Sequence, residues 1–342
     1  MIPTVTGAPR RRALLRRRWL GSLALLASVA AAQVAGCGSK TDLIIGGNPS
    51  PGGAMQGGAG SAGNTSGGAG ASGGAGLGGS AGALGEAGEA GLGEAGALNC
   101  EPGDVAPAGS LVHRYSFDGT GTVAVDSVGT ANGDLVEATA LASNCDDNMA
   151  KLPPTQLDGN GQLTFDGCRG YVNFPNHLFM GLSDVTLMSW ATWSGGAAFE
   201  RYFDFGVGDG EDVTTGQGWS FIAVSVGGTD NTGLQLAVRQ AQTVPVESLR
   251  TFIDLDDKRE HQVVAVFASN AYVELYLDGN RLGHLPIAWP LSVINDVNEW
   301  VGRSQWSNDH TFNGKVNEFR MYKQALSPCA IRAIYEAGPN SP

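Results

Sequence analysis

From Cys100 to Gly338 the apolar residues come in short runs, with Gly, Asn and Asp between them and no long helical period anywhere. The runs are 111–117, 133–142, 162–165, 171–174, 185–193, 201–205, 219–226, 234–239, 261–267, 272–277, 299–302 and 315–322. Strands this short cannot bury themselves singly, so the pattern predicts an all-β fold of two packed antiparallel sheets. In one run Tyr272, Glu274 and Tyr276 alternate with Val273, Leu275 and Leu277, which gives that strand one inward face. Val263-Val264-Ala265-Val266-Phe267 is apolar on both sides and belongs in the middle of a sheet. With roughly 230 residues the core is large enough that folding requires neither metals nor disulfides.

The chain before this region reads differently. Of its 52 glycines, 22 fall between Gly46 and Gly96, so residues 37–99 form a Gly/Ala/Ser-rich spacer with too little apolar surface to offset the entropy of ordering. As a Gly-rich coil, about 60 residues reach roughly 40 Å. Residues 1–36 open with six arginines and continue into the apolar run Leu20–Ala32, too short to span a bilayer and of the length of an export-signal core. The run ends in Val34-Ala35-Gly36-Cys37, which resembles the lipobox of bacterial lipoproteins, with Cys37 as the acylated residue. Arg16-Arg17-Arg18-Trp19-Leu20 is similar to a twin-arginine motif, and both export routes stay open. Two or three acyl chains imply stable attachment to a membrane. The organisation expected is a lipoprotein signal peptide over 1–36, a disordered tether over 37–99 and a folded domain over 100–338, in the cell envelope and exposed outside the cytoplasm, at the outer membrane or cell surface.

Charge narrows the partners. The formal charge of -12 includes the six arginines before Cys37, and without them it is -18. So acidic a surface argues against nucleic acid. Catalytic signals are sparse. His113, His177, His261, His284 and His310 are scattered, and no serine lies in a Gly-x-Ser-x-Gly elbow. Glycoside hydrolysis needs paired carboxylates, and the nearest pair, Glu200 and Asp204, is placed by its even spacing on one strand face. The expectation is that the protein is not an enzyme. Beyond Cys37 four cysteines remain, with three possible pairings; the absence of a Cys-x-x-Cys pair argues against zinc.

Three stretches carry a family resemblance. Thr311–Leu326 has an Asn313-Gly314 turn, then a strand with Asn317, Phe319 and Met321 on one face and Glu318 and Arg320 on the other. A helix start follows at Ser327-Pro328, with a stop at Gly338. Tyr115-Ser116-Phe117-Asp118-Gly119-Thr120-Gly121 precedes Val125-Asp126-Ser127, and Val273–Asn280 holds an Asp278-Gly279 hairpin signal ahead of Val301-Gly302-Arg303-Ser304. In their order along the chain they resemble the LamG-like jelly rolls of the laminin G 3 family, of concanavalin A-like sandwich fold. The resemblance implies a disulfide between Cys100 and Cys329, because the ends of such a jelly roll lie close. Cys145 and Cys168, which bracket the segment joining two neighbouring strands, make the other. It implies a structural calcium ion held by Asp118, Asp126 and Glu318, and a binding role toward an extracellular carbohydrate or protein. A glycoside hydrolase on the same sandwich and a purely structural envelope lipoprotein are the alternatives. Trp289, Trp300, Trp306 and Tyr202, at strand ends near Gly, Pro, Asn or Ser, are the expected solvent-facing ligand rings, whereas Trp190, Trp193 and Trp219 are structural.

Overall fold

The structure, a computed structural model, describes residues 41–44, 99–101, 103–137, 155–211, 217–226 and 233–341. The export signal with Cys37, the rest of the spacer and Cys145 lie outside the described residues. The first strands are β1 (Thr41–Ile44), β2 (Leu111–Tyr115), β3 (Thr120–Gly121), β4 (Val123–Ala124), β5 (Gly133–Glu137) and β6 (Leu157–Asp158). Next come β7 (Leu163–Asp166), β8 (Gly170–Phe174), β9 (Val185–Trp193), β10 (Arg201–Val207), β11 (Ser220–Val226) and β12 (Leu234–Arg239). β13 (Glu247–Arg250), β14 (Glu260–Ala268), β15 (Tyr272–Leu277), β16 (Asn280–Pro286), β17 (Asn298–Val301) and β18 (Asn313–Tyr322) lead to the helix α1 (Pro328–Ala337).

Two sheets form the domain. Nine strands lie in the order β1-β13-β12-β11-β10-β17-β8-β5-β4, and the other sheet runs β16-β15-β14-β9-β18-β2, with β7 also paired to β18. Between them lies one core, drawn from alternate residues of both sheets: Phe174, Phe203, Phe205, Ile222 and Leu236 from the first, Leu187, Val263, Phe267, Leu275 and Phe319 from the second. Phe319 touches four rings, those of Tyr115, Phe174, Phe203 and Phe205, with centroids 5.4–6.3 Å away. Tyr115 stacks on Phe174 and donates from its hydroxyl to the Ala131 carbonyl at 2.6 Å. This is the fold expected from the alternating runs.

The outer face of the seven-stranded sheet is also covered. Met188, Trp190, Val264, Val266, Tyr276 and Tyr322 pack under Leu326, Ala330 and Ile331 of the closing segment and α1. That arrangement explains why Val263–Phe267 is apolar on both sides. Ser327 caps α1, its hydroxyl accepting from the Ala330 amide, and Gly338 ends it, as the sequence predicts. Cys100 is bonded to Cys329, and β2 pairs with β18, so the beginning and end of the domain are neighbours. Cys168 is also disulfide-bonded; its expected partner, Cys145, lies outside the described residues.

Three local readings need correction. Asn313-Gly314 is not a turn: both residues are in the β18 ladder, Asn313 opposite Asp166 and Gly314 opposite Trp193. Glycine is needed at 314 because a Cβ there would lie 2.1 Å from the Thr192 carbonyl. Asn317 does not share the face of Phe319, because the register shifts between Val316 and Glu318 and Asn317 becomes the extra residue of a bulge. Thr41–Ile44, inside the stretch read as spacer, is a strand.

Candidate binding face

The outer face of the nine-stranded sheet gathers a cluster of polar and aromatic groups. A register shift between Arg201 and Phe203 lets Arg201 and Asp204 meet on that face, with Nε to Oδ2 at 3.2 Å. Arg201 also donates to Asp309 at 2.8 Å and lies 5.4 Å over the ring of Trp306. Asp309 accepts from Ser304, and the Gln305 amide donates to Asp204, which draws the segment between β17 and β18 against the sheet. Burial pushes the Asp204 carboxyl up to about 6, against the pull of Arg201.

Beside this cluster, Arg303 lies 4.4 Å over Tyr171 and 4.7 Å over Trp300. Trp300 donates from its indole to Asn173 at 2.9 Å, and Trp306 meets Phe221 edge-on at 4.8 Å. An arginine laid on two aromatic rings makes a flat, cationic, hydrogen-bonding surface, a chemistry suited to hydroxyl-rich or carboxylate-bearing ligands.

The ring candidates fare unequally. Trp306 is part-exposed on this face. Trp300 is fully buried, held by Asn173 and capped by Arg303. Tyr202 is buried, its ring 5.0 Å from Phe312. Trp289 is buried against Phe267 and donates to Glu247. These three were expected to face solvent and do not: Tyr202 and Trp289 pack into the core between the sheets, and Trp300 is covered on the outer face by Arg303 and Tyr171. Arg303, Tyr171 and Arg201 had no part in the ligand reading, although the Gly302-Arg303-Ser304 motif had already drawn attention to the first.

The carboxylates are committed to the protein itself. Glu200 precedes β10, and so does not share a strand face with Asp204; it accepts from the Trp193 indole at 2.9 Å and from the amides of Ala197 and Asn313. Glu299, next to Trp300 but turned inward, is fully buried and accepts from the Leu178 amide, while Asp296 accepts from the Phe179 amide at 2.6 Å. Burial, and then the neighbouring Asp296, push Glu299 up to about 10.

The expected calcium ligands are not arranged as a cage. Asp126 takes five donors: the amides of Arg114, Val128, Gly129 and Ala131, and His113 at 2.7 Å. Buried Glu318 sits between two guanidiniums, those of Arg114 at 2.7 Å and of Arg320. Asp118 accepts from the Ser116 hydroxyl at the surface. Among the described residues no group of three or more His, Cys, Asp or Glu could hold a metal ion. The Asp126 and Glu318 oxygens face N–H donors and positive charge, whereas Asp118 meets a hydroxyl.

Residues 166–332 match the family model of the concanavalin A-like lectin/glucanases superfamily, laminin G 3. No curated protein matches the chain. Among solved structures, domain 4 of AbnA, a GH43 extracellular arabinanase from Geobacillus stearothermophilus in complex with arabinotriose, is 18% identical, with 66% of this chain and 97% of that one covered and a TM-score of 0.49. The binding domain of botulinum neurotoxin serotype D/C is 13% identical, with coverages of 67% and 52% and a TM-score of 0.46. A Trypanosoma rangeli sialidase in complex with 2,3-difluorosialic acid is 16% identical, with coverages of 68% and 33% and a TM-score of 0.47. The chain thus spans about half of the toxin domain and a third of the sialidase.

Proposed function

We propose that this protein is a lipid-anchored, extracytoplasmic, non-catalytic binding module that recognises a carbohydrate, or a protein, at the outer face of the nine-stranded sheet. The observation that carries the reading is the Arg303 guanidinium spread over Tyr171 and Trp300 beside part-exposed Trp306. The non-catalytic part of the proposal is supported by the state of the carboxylates. Glycosidic cleavage needs one carboxylic acid and one carboxylate free to meet the sugar. Here Asp204 and Glu200 are buried and engaged by Arg201, Trp193 and backbone amides. Anchoring rests on the Val34-Ala35-Gly36-Cys37 sequence; no helix among the described residues is long and apolar enough to cross a membrane.

A glycan array probed with the intact protein, alongside an assay of reducing-end release on the same polysaccharides, tests the proposal. Binding without release is expected. Arg303→Ala and Trp306→Ala should each weaken binding by about tenfold or more while the melting temperature stays within a few degrees. Release of reducing ends would replace the module with a hydrolase. Binding unchanged in both variants would remove the face from consideration.

A further inference from the structure

Among the described strand pairs, β1 with β13 is the one that runs parallel; all the others are antiparallel. Thr41 stands opposite Glu247, Asp42 opposite Ser248, Leu43 opposite Leu249 and Ile44 opposite Arg250. Without β1, β13 would be the last strand of the sheet. Phe252 and Ile253, just beyond its end, are 40% and 37% exposed. A bare edge beside exposed apolar side chains invites an added strand.

The sequence independently singles out the segment that fills this edge. Between Ser39 and Leu98 the only isoleucines are Ile44 and Ile45, next to Leu43, in a stretch otherwise dominated by Gly, Ala and Ser. β-branched residues favour strands, so this is the point in the spacer best suited to join a sheet.

We propose that the β13 edge is a strand-acceptor site and that Thr41–Ile44 is a detachable latch that occupies it in the same molecule. The pairing is main-chain addition to a sheet edge, in which backbone hydrogen bonds supply affinity and the short length of the strand keeps it reversible. A protein that adds its own extended strand to β13 would displace the latch.

Hydrogen exchange on the full-length protein tests this, comparing wild type with Leu43→Pro/Ile44→Pro. Of two consecutive residues in a strand, one presents its N–H to a given neighbour, so the double variant removes a donor from the ladder whichever side it faces. The outward amides of residues 247–250 should exchange at least about tenfold faster in the variant, while those of β12 and β14 stay unchanged and report that the sandwich is intact. A Thr-Asp-Leu-Ile-Ile peptide in excess should slow them again. Equal exchange in variant and wild type would overturn the proposal, and so would wild-type protection lost on dilution, which would assign the strand to a second copy. Cys37→Ala separates this reading from the anchored one: loss of acylation should leave the protection in place.

Discussion

Glu299 shows how one side chain can set the pH response of the whole domain. Its carboxyl is neutral in the folded protein up to about 10 and ionises near 4.5 once exposed. Between those values the folded state holds a proton that the unfolded state has released, so stability falls as pH rises. The difference accumulated between pH 4.5 and 7 is on the order of 3 kcal/mol. Glu299→Gln, neutral at every pH, should flatten this slope and melt higher than wild type at pH 8, and thermal scans from pH 5 to 8 would show it. His261, held between Asp278 at 2.7 Å and Asp257 at 3.1 Å, is raised chiefly by the Asp278 hydrogen bond. Its stabilisation is present in full below about 6.5 and is lost as pH climbs through the raised folded value, so it slopes the same way. Asp126→Ala should cost about 3–5 kcal/mol, since it strands four backbone amides, and urea titration should show no recovery on adding calcium. The residue types at 126 and 299 are plain in the sequence. Their partners are not, because the donors come from backbone amides whose directions only the folded chain defines.

At the scale of elements, β18 holds the seven-stranded sheet together. β9 lies along one side, with β7 and β2 end to end on the other. Gly314→Ala would push a Cβ into the Thr192 carbonyl, 2.1 Å away, and should destabilise by about 2–4 kcal/mol in denaturant titration. Most strands were legible: Val185–Trp193, Leu234–Arg239 and Tyr272–Leu277 end where the alternation ends. The Asp278-Gly279 turn was legible too, with φ of 49° and 74°. β16 and β13 were missed. Asn280–Pro286 carries Arg, Gly and His, and Glu247–Arg250 has only four residues, so neither offers a periodic apolar signal. The bulge at Asn317 and the buried rings of Trp289, Trp300 and Tyr202 were missed for another reason: both depend on what the neighbouring strand presents.

For the molecule as a whole, the Cys100–Cys329 bridge closes a chain separation of 229 residues. Replacing both cysteines with serine should lower stability by about 3–5 kcal/mol, most of it through a freer unfolded chain. Calorimetry of the variant under native pairing of Cys168 would measure it. The sequence by itself determined the two-sheet architecture, because period-two apolar runs broken by turn residues have no other way to bury their faces. It also determined the capped closing helix, whereas the proximity of the two ends was implied by the family resemblance. Only the tertiary structure decided which polar groups share a face. Arg201 and Asp204 meet through a register shift, Arg303 reaches Tyr171 across β17 and β8, and Thr41–Ile44 finds β13 from the far end of the chain. Side-chain periodicity is local and survives in one dimension; strand order and register are long-range contacts, fixed only when the sheets close on each other.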